Sequence, residues 1–370
     1  MCACASPLVN PERVRAQLTQ ELNWDVLLEL ADDHRVLGVL ANRLEEAGYA
    51  GLRTEVREKL QGRMRAQQIF TLSMAADLFR ILQDFSQAHI ETMLVKGPVT
   101  SLLAYGDPAV RSYVDLDLLL RHGEILSATQ RMLALGFEAD VPESAILVGK
   151  IPGEYFFYRP GTKQMVELHT EHTFRYYPKP MRIEELFSRK RMVLLDGREV
   201  PALSLEDELV LNCIHGAKHF WERLMWVSDV AALVTRHPEI DWQKAQQAAA
   251  DVGGERMLRV GVLVGSLLFG TEPPLAIAEA IRRDRSSESL CHQVMGWLPF
   301  SGYAQPSLRR RAAFRMEMAG GGVTGAAYLI RLSLSPTEED WEEGSEGRRS
   351  WLWDSVRRPF RLLRKYGSHK

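Results

Sequence analysis

The sequence predicts an α+β protein: a small mixed β-sheet core flanked by N-terminal and C-terminal helical regions. Three observations lead there. Apolar residues recur at helix spacing through residues 11–90. Between 89 and 203 the chain breaks into short β-prone runs bounded by glycine and proline turns. From Ser204 the helical period returns. The expected division is an N-terminal helical region (1–88), an α/β core (89–203), a C-terminal helical region (204–335), and an acidic loop with a basic tail (336–370).

In the first region Val14, Leu18 and Leu22 share a helix face, and Leu60, Met64, Ile69, Leu72, Leu78, Ile81 and Leu82 run along a long helix from about Thr54 to Phe85. The methionines and aromatics in that stripe read as core packing. The core opens with a strand, Glu91 to Val95, ending at Lys96-Gly97-Pro98, where proline suits the first turn of a short helix that stops at Gly106-Asp107-Pro108. A second strand, Ser112 to Leu120, follows, then a helix from Ile125 to Leu135 closed by Gly136, and a polar connection. Tyr155–Tyr158 and Gln164–His169 read as a hairpin across Arg159-Pro-Gly-Thr162. Met192–Leu203 reads as another, across Asp196-Gly197. Ser204, with Asp207 three residues on, starts a helix running to about His219. Further helices are expected over Glu222–Thr235, Trp242–Val252, Glu255–Phe269 and Leu275–Arg283.

Bulk composition excludes several classes. With 46 basic and 48 acidic residues there is no global field to draw nucleic acid. Positive charge is concentrated only in the tail, where Arg357, Arg358, Arg361, Arg364, Lys365 and Lys370 occur without an acid, so a nucleic-acid substrate is disfavoured. The four cysteines, Cys2, Cys4, Cys213 and Cys291, suggest neither a disulfide framework nor a zinc ribbon, which fits a cytoplasmic setting. The longest apolar run, Val260–Gly270, is far short of the ~20 residues of a membrane span. No Walker loop or Gly-x-Gly-x-x-Gly is present.

Chemistry centres on Asp115-Leu-Asp117. Alternation on a strand points both carboxylates to one face, roughly 6–7 Å apart, while Leu116, Leu118 and Leu120 take the other. Leu119 lies on the carboxylate side, so the strand is expected to be buried on both faces. Acids at the edge of such a strand need a cation or hydrogen bonds. Glu167, on a later strand, would add a third carboxylate, and magnesium takes such oxygen ligands together with substrate phosphates.

The run from Leu94 to Leu119, containing Lys96-Gly97, Tyr105-Gly106-Asp107-Pro108, Arg111 and Asp115-Leu-Asp117, resembles the signature of the uncharacterised nucleotidyltransferase family within the DNA polymerase β-type nucleotidyltransferase superfamily. Val166-Glu167-Leu168-His169 is similar to its third-carboxylate strand, and His215-Gly-Ala-Lys218-His219-Phe-Trp221-Glu-Arg223-Leu224 with Asp229 to its helical motif; the likeness covers about residues 60–270. Pro336–Trp341 and Arg358–Arg361 also look familial. The resemblance implies a nucleotidyltransferase core that moves an NMP group from an NTP to an acceptor hydroxyl and releases pyrophosphate. Asp115, Asp117 and Glu167 would be its catalytic and metal-binding acids, with two Mg²⁺ ions, or Mn²⁺ in their place. Gly97 would occupy the superfamily's Gly-Ser turn, although Pro98 stands in place of the serine and the gap to Asp115 is longer. Lys96, Gly97, Arg111 and Lys218 are the candidate nucleotide-binding residues; Lys96 and Arg111 could equally be ion pairs that neutralise the acids.

The acceptor, whether small molecule, sugar, peptide or protein, is open, as are the NTP and the oligomeric state. The alternative is a non-catalytic nucleotide-binding or adaptor protein that keeps the fold. His215 and His219 fall at i and i+4, but no glutamate follows His215 and no third zinc ligand is placed. They are expected to pack the helical region, with Lys218, Trp221 and Arg223, against the site, with or without touching nucleotide. His169 and His172 would line the cleft or cover the strand. Asp229 would pair with Arg223 or Lys218.

Overall fold

The computed structural model describes residues 1–6, 11–18, 21–49, 51–140, 146, 153–171, 177–298 and 307–334. His172, the acidic loop and the basic tail lie outside them. The architecture is α+β. Helices α1 (Cys2–Ala5), α2 (Pro11–Leu18), α3 (Trp24–Asp33), α4 (Leu37–Glu46) and the long α5 (Thr54–Gln87) precede the core. The core holds β1 (Thr92–Val95), α6 (Gly97–Tyr105), β2 (Asp115–Leu120), α7 (Ile125–Ala134), β3 (Glu138–Ala139), β4 (Glu154–Tyr158), β5 (Met165–His169), α8 (Ile183–Ser188), β6 (Arg191–Leu195) and β7 (Arg198–Ala202). The helices after it are α9 (Leu205–Lys218), α10 (Leu224–Arg236), α11 (Trp242–Asp251), α12 (Glu255–Phe269), α13 (Leu275–Arg283), α14 (Arg285–Trp297), α15 (Leu308–Met318) and α16 (Gly322–Leu334). No helix of the described residues is long and apolar enough to cross a membrane.

The strands form one mixed sheet in the order β3-β4-β5-β2-β1-β7-β6. β2 lies inside it, parallel to β5 and antiparallel to β1, and all its residues except Asp115 are buried. That is why a run of leucines on both faces was tolerable there. The β6–β7 hairpin turns at Asp196 and Gly197, both with positive φ, as its two-residue turn demands. β3 and α8 were not anticipated; at two and six residues they are too short to carry a period.

The chain between α6 and β2 is held from four sides. Gly38 of α4 lies so close that an added Cβ would sit 2.1 Å from the Val110 carbonyl oxygen. Gln67 of α5 donates to the Ala109 carbonyl at 3.0 Å and accepts from the Ser112 hydroxyl at 2.9 Å. The Ser101 hydroxyl accepts the Arg111 amide at 3.0 Å. Finally the Arg111 guanidinium donates through Nε to Asp229 of α10 at 2.8 Å, and Tyr105 donates to the same carboxylate at 2.7 Å. Asp229 therefore pairs with Arg111, not with Arg223 or Lys218 as the sequence suggested; the partner lies 118 residues away.

Both members of this pair are buried, so removing one leaves an uncompensated charge. Asp229→Ala and Arg111→Ala are each expected to cost about 3–5 kcal/mol in urea unfolding, and the double variant less than the sum. Additive losses would show that the two residues act separately.

Candidate active site

Register places the acids. Asp117 on β2 stands opposite Glu167 on β5 and Val95 on β1, and Leu119 stands opposite His169. Period-two alternation therefore puts Asp115, Asp117, Glu167 and His169 on one face of two adjacent strands. Asp117, Glu167 and His169 are buried, whereas Asp115, at the start of β2, is half-buried. One ligand atom each from Asp117, Glu167 and His169 lie within 4.8 Å of one another; Asp115 stands outside that group.

The Oδ1 atom of Asp117 accepts from the Lys96 ammonium at 2.9 Å and faces His169 Nε2 at 2.7 Å. The same ring nitrogen is 3.3 Å from Glu167 Oε2. A nitrogen between two carboxylate oxygens is a donor, so Nε2 carries a proton. Burial works against a charged ring, but hydrogen bonds to Asp117 and Glu167 outweigh it and raise the His169 pKa to about 9. Burial likewise opposes the Asp117 carboxylate, yet Lys96 and His169 hold it well below its ordinary value. Lys96 is raised, since the charges of Asp117 and Glu167 overcome its desolvation. Asp115 fares differently: burial, and then the negative charges of Asp117 and Glu167, push it up to about 6. Two carboxylates two residues apart thus have opposite proton affinities, because the cations serve Asp117.

Lys96 reaches Asp117 from a strained turn. Its φ is 53° and ψ −147°, a sparsely occupied region for a residue with a Cβ, costing on the order of 1–3 kcal/mol. Gly97 follows at φ 46°, where glycine is needed for conformation, since a Cβ there would meet nothing nearer than 3.7 Å. Pro98 has no N–H, and the Val99 and Thr100 amides bond the Lys96 carbonyl. Gly97 is thus the one amide at this helix start not committed to the helix itself.

Of the other expected site residues, Arg111 is engaged with Asp229, although its charge also acts on Asp115. Lys218 lies at the C-terminal end of α9; the foremost charges on Asp115 and Asp117 come from Lys96, Arg111, His169 and the acids themselves, while Lys218 acts on His215 and His219. Those two rings pack with Trp226: His219 stacks on it at 4.9 Å, and His215 meets it edge-on at 5.6 Å. Burial, then the surrounding cations, lower both imidazoles, His219 to about 3. They belong to a neutral aromatic wall, and among the described residues neither joins the metal-capable group. Trp221 is fully buried core.

Two residues go beyond the sequence reading of the site. The sequence allows His169 two roles, and its position two residues beyond Glu167 on one strand is the signal that favours the cleft. Nothing local in the sequence marks Arg35: it comes from the turn between α3 and α4, where its charge meets those of Arg223, Asp115 and Arg111.

Over residues 20–270 the chain matches the family described as "Uncharacterised nucleotidyltransferase", and it belongs to that family. Membership makes it a nucleotidyltransferase. Among solved structures it is similar to the antibiotic-resistance factor ANT(2'')-Ia, at 11% identity over 47% of this chain and 87% of that one, with a TM-score of 0.34. It is also similar to the lincosamide antibiotic adenylyltransferase LnuA in its lincomycin-bound form, at 15% identity over 44% and 96%, TM-score 0.31. A third is an antigenic nucleotidyltransferase-like protein from Paracoccidioides brasiliensis, at 17% identity over 59% and 96%, TM-score 0.31. No curated protein matches the chain.

Both raised groups make stability fall with rising pH, in different windows. The Asp115 contribution is complete below its ordinary value near 3.8 and lost as pH rises through about 6. The His169 contribution is complete below 6.5 and lost as pH rises through about 9. In metal-free buffer, Asp115→Asn should therefore have a higher urea midpoint than wild type at pH 7.5 and an equal one near pH 4. His169→Asn should be less stable than wild type at pH 6.5, with the gap closing by pH 10. Gaps that do not change with pH would contradict this electrostatic description.

Proposed function

We propose that the protein transfers a nucleoside monophosphate from an NTP to an acceptor hydroxyl, releasing pyrophosphate, in a reaction that depends on magnesium or manganese. The observation that carries this is the convergence of Asp117 and Glu167 at matched positions of adjacent parallel strands, with Asp115 beside them at a proton affinity raised by burial and then by their charge.

Those residues suit divalent ions. Carboxylate oxygens are the hard donors that magnesium and manganese prefer. Lys96 and a protonated His169 do not balance three carboxylates, and the excess falls on half-buried Asp115. Asp115, Asp117 and Glu167 would hold the ions. When bound, two such ions supply charge for the attacking and leaving oxygens of an in-line displacement.

The remaining work is done by the chain. Lys96, fixed on Asp117, keeps that carboxylate ionised and in place, and its half-buried ammonium adds positive potential where phosphate oxygens enter. Gly97 offers a backbone N–H at the start of α6. Glu167 would orient the acceptor hydroxyl and take its proton, while His169 holds Glu167 and Asp117 together. The aromatic wall of His215, His219 and Trp226 limits water on the helical side. The catalytic contribution is thus positioning and charge neutralisation, with no covalent intermediate on the protein. Small molecules, sugars, peptides and proteins all remain acceptors to be screened.

Purified protein incubated with labelled NTPs, magnesium and an acceptor panel should transfer label and release pyrophosphate. Asp115→Asn is the cleanest test, because it is expected to stabilise the metal-free fold while lowering turnover by on the order of 10²–10³-fold, the size of one lost preorganised electrostatic contact. Magnesium should raise the wild-type melting temperature and leave that of Asp115→Asn nearly unchanged. Undiminished transfer by Asp115→Asn would defeat the assignment; nucleotide binding without turnover by wild type would favour a non-catalytic nucleotide-binding or adaptor protein.

A further inference from the structure

We propose that Arg35 and Arg223 form an anion subsite at the mouth of the cleft, through which the N-terminal helical region grips the terminal phosphates of the bound nucleotide. The inference rests on the nucleotidyl-transfer reading of the cleft and adds a binding site that comes from outside the α/β core.

Arg35 occupies the tight turn between α3 and α4 with φ 54°, an unfavourable backbone state for arginine. The turn is fixed by its own bonds, Arg35 N–H to the Asp32 carbonyl at 2.9 Å and Val36 N–H to the Ala31 carbonyl at 2.8 Å. It is also clamped to α10. The buried His34 ring accepts the Leu224 amide through Nδ1 at 3.0 Å, and the His34 carbonyl accepts the Met225 amide at 3.2 Å. Arg223 is the residue just before those two amides. The clamp thus brings Arg35 and Arg223 to either side of one contact, 190 residues apart in sequence for its His34–Leu224 bond. The α10 amides are taken by His34, so the subsite is made by side chains and not by the helix end.

Both arginines are half-buried. After burial, the main charge acting on Arg35 is that of Arg223, followed by Asp115 and Arg111, so the two guanidiniums share one neighbourhood beside the outer acid of the site. Among the described residues neither has a salt-bridged carboxylate, and Arg223 makes only a distant contact with the Trp226 ring at 5.6 Å. Other half-buried arginines are paired: Arg121, Arg131, Arg159 and Arg256 each hold a carboxylate within 3 Å. Two like charges drawn together with no salt-bridged carboxylate among the described residues, one of them in a strained turn, leave an electrostatic demand that a polyphosphate satisfies. Guanidinium forks suit phosphate oxygens better than any other side chain. With Asp115 adjacent, the chemistry of the ligand follows: an anion that itself carries divalent cations, as the β- and γ-phosphates of an NTP do.

The test uses the full-length protein and inorganic pyrophosphate in magnesium buffer, by calorimetry and thermal shift. Wild type should bind. Arg35→Gln and Arg223→Gln should each weaken binding about tenfold or more, as loss of a charge-assisted contact requires, with Arg35→Lys recovering part of the loss and the exposed Arg282→Gln causing none. Ligand-free melting temperatures of the two glutamine variants should equal or exceed wild type, because a repulsion has been removed; this separates the proposal from a structural role. Wild type that ignores pyrophosphate, or variants that bind it as wild type does, would overturn the subsite. If nucleotide transfer proceeds with an unchanged KM for NTP in both glutamine variants, the subsite is wrong and the transferase reading stands. If pyrophosphate binds through these arginines but no nucleotide is transferred to any acceptor, the subsite stands and the transferase reading falls.

Discussion

One carboxylate atom organises this molecule. Oδ1 of Asp117 is shared by Lys96 and His169, the first from the end of β1 and the second from the end of β5. Three strands distant in sequence must therefore hold a fixed register, since a one-residue slip on any of them would turn its polar group to the opposite face. Buried on a leucine-rich strand, Asp117 could not remain charged without those two donors. Their allegiance to Asp117 also leaves Asp115 to face two negative neighbours with less compensation. The site is stable on its inner side and frustrated on its outer side, where a substrate and its cations would arrive.

A second set of polar contacts sets the helical regions against this face. Arg111 and Tyr105 share Asp229 of α10, and Thr100 of α6 bonds Glu208 of α9, to which Asn212 also donates at 3.1 Å. Burial raises the Glu208 pKa, against the hydrogen bonds from Thr100 and Asn212 that favour its charged form. Such buried polar links add little net stability compared with apolar packing, but they penalise misplacement heavily. They flank the Lys96–Gly97 turn, which carries the strained backbone. His34 does the same for the N-terminal region, fixing the turn that bears Arg35 to the start of α10.

What the sequence disclosed followed the range of each interaction. The alternation of Asp115 and Asp117, the Asp196-Gly197 turn, the Ser204 cap, which accepts the Asp207 amide at 3.1 Å, and the bounds of α12 and α13 all depend on neighbours within a few residues, and all were legible. α15 was not singled out, because its arginines and methionines give little apolar periodicity. In the site, Glu167 could be named and its register on Asp117 could not. Arg111 was recognisable as a cation near the acids, but its partner was misjudged because Asp229 reaches it only through tertiary packing. Arg35 had no signal, since its relevance arises from a contact between residue 34 and residue 224. Chemistry was readable where the strand period carried it and hidden where packing between helices did.

Burial and the charges of Asp117 and Glu167 keep Asp115 at an abnormally high proton affinity, which a bound cation would lower. The most direct measurement is the pH titration of the Asp115 side-chain carboxyl carbon by NMR, with and without magnesium. In metal-free buffer the resonance should titrate near pH 6, and with saturating magnesium the midpoint should move below that of an ordinary aspartate. A midpoint near 4 that magnesium does not move would contradict the account.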